Sequence, residues 1–143
     1  MKSDSLLKLM FTIGAIVDGT IAISWFLIAA GLDIPNILNG YTGAGTDYRL
    51  AMYISGMFMT GWTVLLAWGR LQPVERRGLL LITACLLLLS VIFEVFAFNN
   101  ILGGSLFVFG VTKRLILSLL FTAAFYYSIK TEANILKKNP DKK

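Results

Sequence analysis

Four apolar runs, at residues 9–31, 50–69, 78–98 and about 106–129, constrain this chain more than any motif in it. Each has about the 20 residues that an α-helix needs to cross a hydrocarbon layer ~30 Å thick. Inside such a layer only helices or closed barrels satisfy every backbone N–H and C=O. Composition agrees, with 57% hydrophobic and 15% charged residues and a mean hydropathy of +0.74, outside the range of soluble domains. The expectation is one domain over residues 1–143, an all-α integral membrane four-helix bundle with room for little else. The first run follows Lys2 and Lys8. It is longer than a signal-peptide core, contains Asp18 and lacks a small-x-small cleavage site, so it reads as a retained anchor.

Lysine and arginine placement sets the orientation. Lys2 and Lys8 precede the first span, Arg70, Arg76 and Arg77 lie between the second and third, and Lys130, Lys137, Lys138, Lys142 and Lys143 follow the fourth. The opposite side has only Arg49 at a span boundary, with Asp33 and Asp47 in the loop before it. By the positive-inside rule both termini are cytoplasmic, in the inner (plasma) membrane of a prokaryotic-type cell, and residues 130–143 form a basic cytoplasmic tail against anionic lipid. The outer loop, residues 32–48, holds Pro35, Asn36, Asn39, Gly40, Gly43 and Gly45, which favour turns, and reads as a flexible lid. Pro73 stops the second span, and the short turn over residues 71–77 makes spans two and three an antiparallel hairpin. Trp68, Tyr126 and Tyr127 fit an interfacial aromatic belt.

What the chain lacks narrows the chemistry. It has no histidine, which removes imidazole haem ligation, most zinc chemistry and Ser-His-Asp catalysis. Its single cysteine, Cys85, sits in an apolar run with no second thiol. No cofactor is expected. The net charge of +5 comes from basic residues beside apolar segments, not interleaved with aromatics on a soluble face, so nucleic acid is not an expected partner.

Asp18, Glu94, Lys113 and Arg114 fall inside the apolar runs, where charge is expensive, rare and most often functional. Helical periodicity assigns each span an inward face. Span two carries Arg49, Tyr53, Gly56, Thr60, Thr63 and Ala67 at three- and four-residue steps, and span four carries Gly110, Arg114, Ser118 and Thr122. Lys113 is turned about 100° from Arg114 and is expected to snorkel outward while Arg114 points inward. Span one supplies Gly14, Asp18, Ala22, Trp25 and Ala29, and span three Thr83, Leu87, Ser90 and Glu94. Small residues and hydroxyls on such lines usually serve helix packing. A charge at helix-centre depth costs about 2.5 to 3.5 kcal/mol on the insertion scale and needs a partner or water.

Asp18 lies about 15 Å into its span, near the membrane middle, and Glu94 about one turn from the outer end of the third. Arg114 can meet either carboxylate, and Arg49 and Asp47 continue the charges toward the outer mouth. These residues predict a charged polar cleft open to the outer face and closing on Asp18. The candidate ligand- or ion-binding set is Asp18, Glu94, Arg114, Arg49, Lys113, Tyr53 and Thr60. One reading makes the charges a network fixing helix register. Another makes Asp18 a site that exchanges a proton, or a cationic or polar ligand.

Three features resemble the DoxX-like group of small bacterial four-helix membrane proteins. They are Pro35 soon after span one, Arg49 opening a span that contains Gly56 and Gly61, and the turn Gln72-Pro73-Val74-Glu75-Arg76-Arg77. The resemblance covers about the first two thirds of the chain, and Lys113-Arg114 has no counterpart in it. It implies a fold more than an activity, although some members are proposed membrane subunits of redox systems. Asp18 also occupies a place similar to the first-span carboxylate of small multidrug transporters, which carry no buried arginine to neutralise it. The expected role is a non-enzymatic membrane component binding a small ligand, a lipid headgroup or a partner, as a homo-oligomer or beside a partner subunit. The alternatives are a small oligomeric proton- or ion-coupled transporter using Asp18, and a lipid-modifying enzyme using Glu94 as acid or base, for which no nucleophile, metal set or phosphate loop speaks.

Overall fold

A computed structural model describes residues 3–98 and 101–138. Its helices are α1 (Ser3–Ala29), α2 (Gly45–Gly69), α3 (Gly78–Ala97) and α4 (Gly104–Lys138). All four are long and apolar enough to cross a membrane. Lys2, Lys142 and Lys143, used in reading the orientation, lie outside the described residues.

The ends of the helices follow from local chemistry. At the end of α1, Gly31 adopts φ +103°, with the Gly31 N–H donating to Ile28 O and the Leu32 N–H to Leu27 O. That is a Schellman ending, and the left-handed residue it needs is a glycine. Arg49 adds to it, its Nε donating to Ala29 O at 2.9 Å, a cation satisfying a terminal carbonyl. Beyond α2 the chain turns over residues 70–77 around Pro73, where Arg76 stacks 3.4 Å over the Trp68 ring and donates to Trp68 O. α4 continues without a break to Lys138, and Arg77 ties its lower part to the turn through Ser128 at 3.3 Å and Glu132 at 2.6 Å.

The helices run up-down-up-down. α1 packs closely on α2 and more lightly on α4, α3 packs on α4, and α2 and α3 scarcely touch. Their main polar link lies toward the turn, where Trp62 Nε1 donates to Thr83 Oγ1 at 3.3 Å. The hairpin α2–α3 therefore opens like a V away from residues 70–77. Two apolar cores form at different levels. One unites Leu7, Phe11, Leu66, Leu80, Leu117 and Phe121, and the other unites Ile21, Trp25 and Ile28 with Leu38, Met52 and Met59. The outer surface is apolar as well, with Phe96 81% and Phe58 78% exposed, an arrangement that water disfavours over so wide an area and lipid does not.

The outer loop is not a flexible lid. Asn36, 6% exposed, accepts through Oδ1 from Trp25 Nε1 and from the Leu38 N–H, both at 2.9 Å. It also donates through Nδ2 to Met52 Sδ at 3.8 Å. The loop is thus bonded into the end of the bundle, and α4 closes on it at Gly110, where a Cβ would run into the Leu38 carbonyl. Gly110→Val should cost about 1 to 3 kcal/mol, the usual range for overpacking a tight contact. A melt of the purified variant followed by circular dichroism checks this, and an unchanged midpoint would mean that the loop yields freely.

Candidate functional site

The ionisable residues sit between the two cores. Arg114 is 1% exposed, placed inward by the α4 row Gly110, Arg114 and Ser118, all buried. Its Nη2 donates to Glu94 Oε2 at 2.5 Å, its Nη1 to Ser90 Oγ at 3.1 Å and its Nε to Gly110 O at 3.2 Å. Sequence reasoning left Arg114 free to meet either carboxylate, and it meets Glu94. On α3 the pair Ser90 and Glu94 are one helical turn apart and face Arg114 together, which is what their four-residue spacing requires.

Asp18 takes no part in that network. It is 8% exposed, and among the described residues no cation lies within 4 Å of it and no hydrogen bond reaches it. The cation whose charge acts on it is Lys113, from a distance. Lys113 is half-buried and lies in a separate groove with Val17, Phe109, Thr112, Ile116 and Leu117, its Nζ 5.9 Å from the centre of the Phe109 ring. It therefore sits beside the α1–α4 seam, neither fully outward nor in the bundle interior.

Asp18 instead forms part of the wall of a cavity of about 430 Å³ that all four helices and the outer loop build. α1 contributes Asp18, Ile21 and Trp25, α2 Ser55, Phe58, Met59 and Trp62, α3 Thr83, Leu87 and Ser90, and α4 Arg114. Leu38 of the outer loop adjoins it toward the second core. Its exposed lining residues are Phe58 on α2 and Leu86 on α3, 78% and 50% exposed. The cavity thus opens sideways, through the V between α2 and α3. The expected polar cleft, open at the outer face, is replaced by an apolar chamber that the bonded loop covers and a lateral mouth. The reason is Asn36, which turns the loop inward.

The other candidates separate from this chamber. Arg49 and Tyr53 line a different depression of about 530 Å³ with Phe26, Ala29, Ala30, Thr46 and Leu50, a surface seam in which Tyr53 is 50% exposed. Thr60 is exposed and donates to Gly56 O within its own helix. The inward face of α2 runs instead through Gly56, Met59, Trp62 or Thr63, Leu66 and Gly69, about a third of a turn from the expected stripe. The two cavity tryptophans, Trp25 and Trp62, were missed as site residues. The signal for Trp25 lay in the sequence, since it sits on the Asp18 face of α1.

An unpaired carboxylate in such a place opposes stability. Asp18→Asn should therefore leave the bundle as stable as before or stabilise it by about 1 to 3 kcal/mol, because the charge it removes is the costly part. Thermal unfolding in detergent measures this, and a marked loss would reveal a partner that holds the charge. No family model, curated protein or solved structure matches the chain.

Proposed function

We propose that this chain is an integral membrane binding component that holds a small amphiphile, taken sideways from the bilayer, without altering it. Its four helices cross the membrane with both termini on the cytoplasmic side of an inner membrane, as the placement of Arg70, Arg76, Arg77 and Lys130 argues. The observation that carries the reading is the lateral cavity: about 430 Å³, apolar on most of its wall, with its mouth between Phe58 and Leu86. That volume falls in the usual range for small-molecule sites. The mouth faces where lipid tails would lie, so a ligand dissolved in the membrane enters without crossing water. The DoxX-like resemblance belongs to this reading for its fold alone.

Quenching of tryptophan fluorescence in lipid nanodiscs by a brominated stearate tests it, in a Trp68→Phe background that leaves Trp25 and Trp62 as reporters. Quenching should saturate, and Ser55→Phe, which fills the cavity from α2, should abolish the saturable part. Quenching that ignores Ser55→Phe places the probe on the outer surface and removes the cavity from the reading.

A second reading, ion-coupled transport by an oligomer, draws on one observation, the unpaired Asp18. Flux of the bound compound in liposomes driven by a pH gradient separates the two, because a binding component gives none. The enzyme reading is weaker, since Glu94 Oε2 is committed to Arg114, which suits a structural role better than proton abstraction.

A further inference from the structure

We infer that the amphiphile of the lateral cavity is neutral and carries a carbonyl head, an ester or an amide, whose oxygen accepts a hydrogen bond from Arg114; the inference rests on the cavity reading above. A guanidinium has five N–H donors in one fixed plane. Arg114 commits three of them, Nε to Gly110 O, Nη1 to Ser90 Oγ and Nη2 to Glu94 Oε2. One N–H on Nη1 and one on Nη2 therefore take no partner among the described residues. Of the three groups that Arg114 bonds, Ser90 lines the cavity with it, while Gly110 and Glu94 do not border it. The guanidinium thus reaches the cavity by its Nη1 end, where a donor is unclaimed. Arg114 is 1% exposed, and a donor left unmatched at such burial is costly, so an acceptor brought into the cavity is rewarded.

The other donors around the cavity are engaged or can engage themselves. Trp25 Nε1 donates to Asn36 and Trp62 Nε1 to Thr83, while the Thr83 and Ser90 hydroxyls donate to Leu79 O and Leu87 O of their own helix. The Ser55 hydroxyl remains, but a helical serine can turn to the carbonyl four residues back when nothing else is offered. The Arg114 plane, held by three bonds, has no such freedom. Charge decides what kind of acceptor belongs there. Glu94 offsets the charge of Arg114 at 2.5 Å, Asp18 borders the same cavity, and Lys113 stands in the separate groove with Phe109 and Ile116. An anionic head would take the Arg114 bond and meet a net negative wall in apolar surroundings, where repulsion is little screened. A carbonyl takes the bond without that cost, while its chain lies against Ile21, Met59 and Phe58 and leaves by the mouth.

Three probes on one brominated chain isolate the head: the methyl ester of the brominated stearate, the corresponding alkyl sulfonate, which is anionic at every pH, and the headless brominated octadecane. Saturable tryptophan quenching by each is read on the whole protein with Trp68→Phe in zwitterionic nanodiscs, at equal mole fractions of probe in the bilayer. Two substitutions remove the spare donor without stranding Glu94. Arg114→Lys keeps a charge opposite Glu94 and has three N–H groups, all needed for the present acceptors, and Arg114→Met with Glu94→Gln removes the pair as a unit. The ester is expected to bind at least tenfold more tightly than the headless chain and more tightly than the sulfonate. That preference should persist in Ser55→Ala and vanish in both Arg114 variants, with binding of the headless chain unchanged, which shows that the cavity is still formed. Ser55→Phe should abolish saturable binding of all three. An ester preference that survives both Arg114 variants, or a sulfonate that binds more tightly than the ester, would overturn the carbonyl assignment. Absence of any head preference, with saturation still lost in Ser55→Phe, would also overturn it and leave the cavity reading standing. Quenching by all three probes that ignores Ser55→Phe would overturn the two together.

Discussion

Arg114→Met should be the most damaging single substitution in the bundle, lowering its stability by about 3 to 5 kcal/mol, the range for removing one member of a buried pair. Methionine fills much of the arginine's volume, so the loss is electrostatic and not a cavity. Glu94, with its side chain only 13% exposed, would keep its charge on an apolar helix with the guanidinium gone, and the acceptors Ser90 Oγ and Gly110 O would lose a donor. The pair is what makes either charge tolerable, so Arg114→Met combined with Glu94→Gln should recover most of the loss. Unfolding of the reconstituted protein in rising dodecyl sulfate gives the four corners of the cycle, in which neighbours couple by about 0.5 to 3 kcal/mol. Strict additivity would mean that Glu94 finds water when Arg114 is removed, and that the pair does not hold α3 to α4. Asp18→Asn joined to Arg114→Met should, by contrast, simply add, since the two side chains border one cavity without touching.

That division of labour was half legible in the sequence. Four apolar stretches gave four helices because length and hydropathy are intrinsic to each segment. On α4 the row Gly110, Arg114, Ser118 was correct because small and charged residues in an apolar helix have little reason to face lipid. Thr122 is only half-buried, because four-residue steps on a 3.6-residue helix precess, and the inward face has passed to Phe121 and Ala124 by that level. On α2 the same logic misled. Arg49 lies near the start of α2 and closes α1, Tyr53 stands one turn further in, and both line a surface seam, so their polarity says nothing of an interior. Glu94 and Arg114 both signalled burial, but their pairing depends on how α3 sits on α4, which no single-helix period encodes. The lateral mouth was invisible for a like reason: it is the near-absence of contact between two helices that a tight turn obliges to be neighbours.

Asn36 was the residue least visible in advance, and Asn36→Leu should be the second most damaging change, by about 2 to 5 kcal/mol. In the sequence it is one turn former among several, beside Pro35 and before Asn39 and Gly40. In the fold its Oδ1 is the acceptor for two buried donors, Trp25 Nε1 and the Leu38 N–H. A leucine there accepts nothing, and each orphaned donor costs about 1 to 3 kcal/mol when water cannot replace the partner. The loss should be local as well as global. Amide exchange at Leu38 should rise by orders of magnitude while α1 and α4 keep their protection, because the amide bond to Asn36 is what pins the loop against α4 at Gly110. Trp25→Phe supplies the control, since it removes one of the two donors in advance. Asn36→Leu made in that background should cost less than Asn36→Leu alone by roughly 1 kcal/mol or more, the saving being the donor that is no longer stranded. Equal costs in the two backgrounds would show that water reaches Trp25 Nε1 and that the side-chain bond is not what seals the cavity. With the seal gone, Leu38 leaves the cavity and a second route opens toward the outer face, so a bound amphiphile should dissociate faster in Asn36→Leu while its association through the α2–α3 mouth stays unchanged.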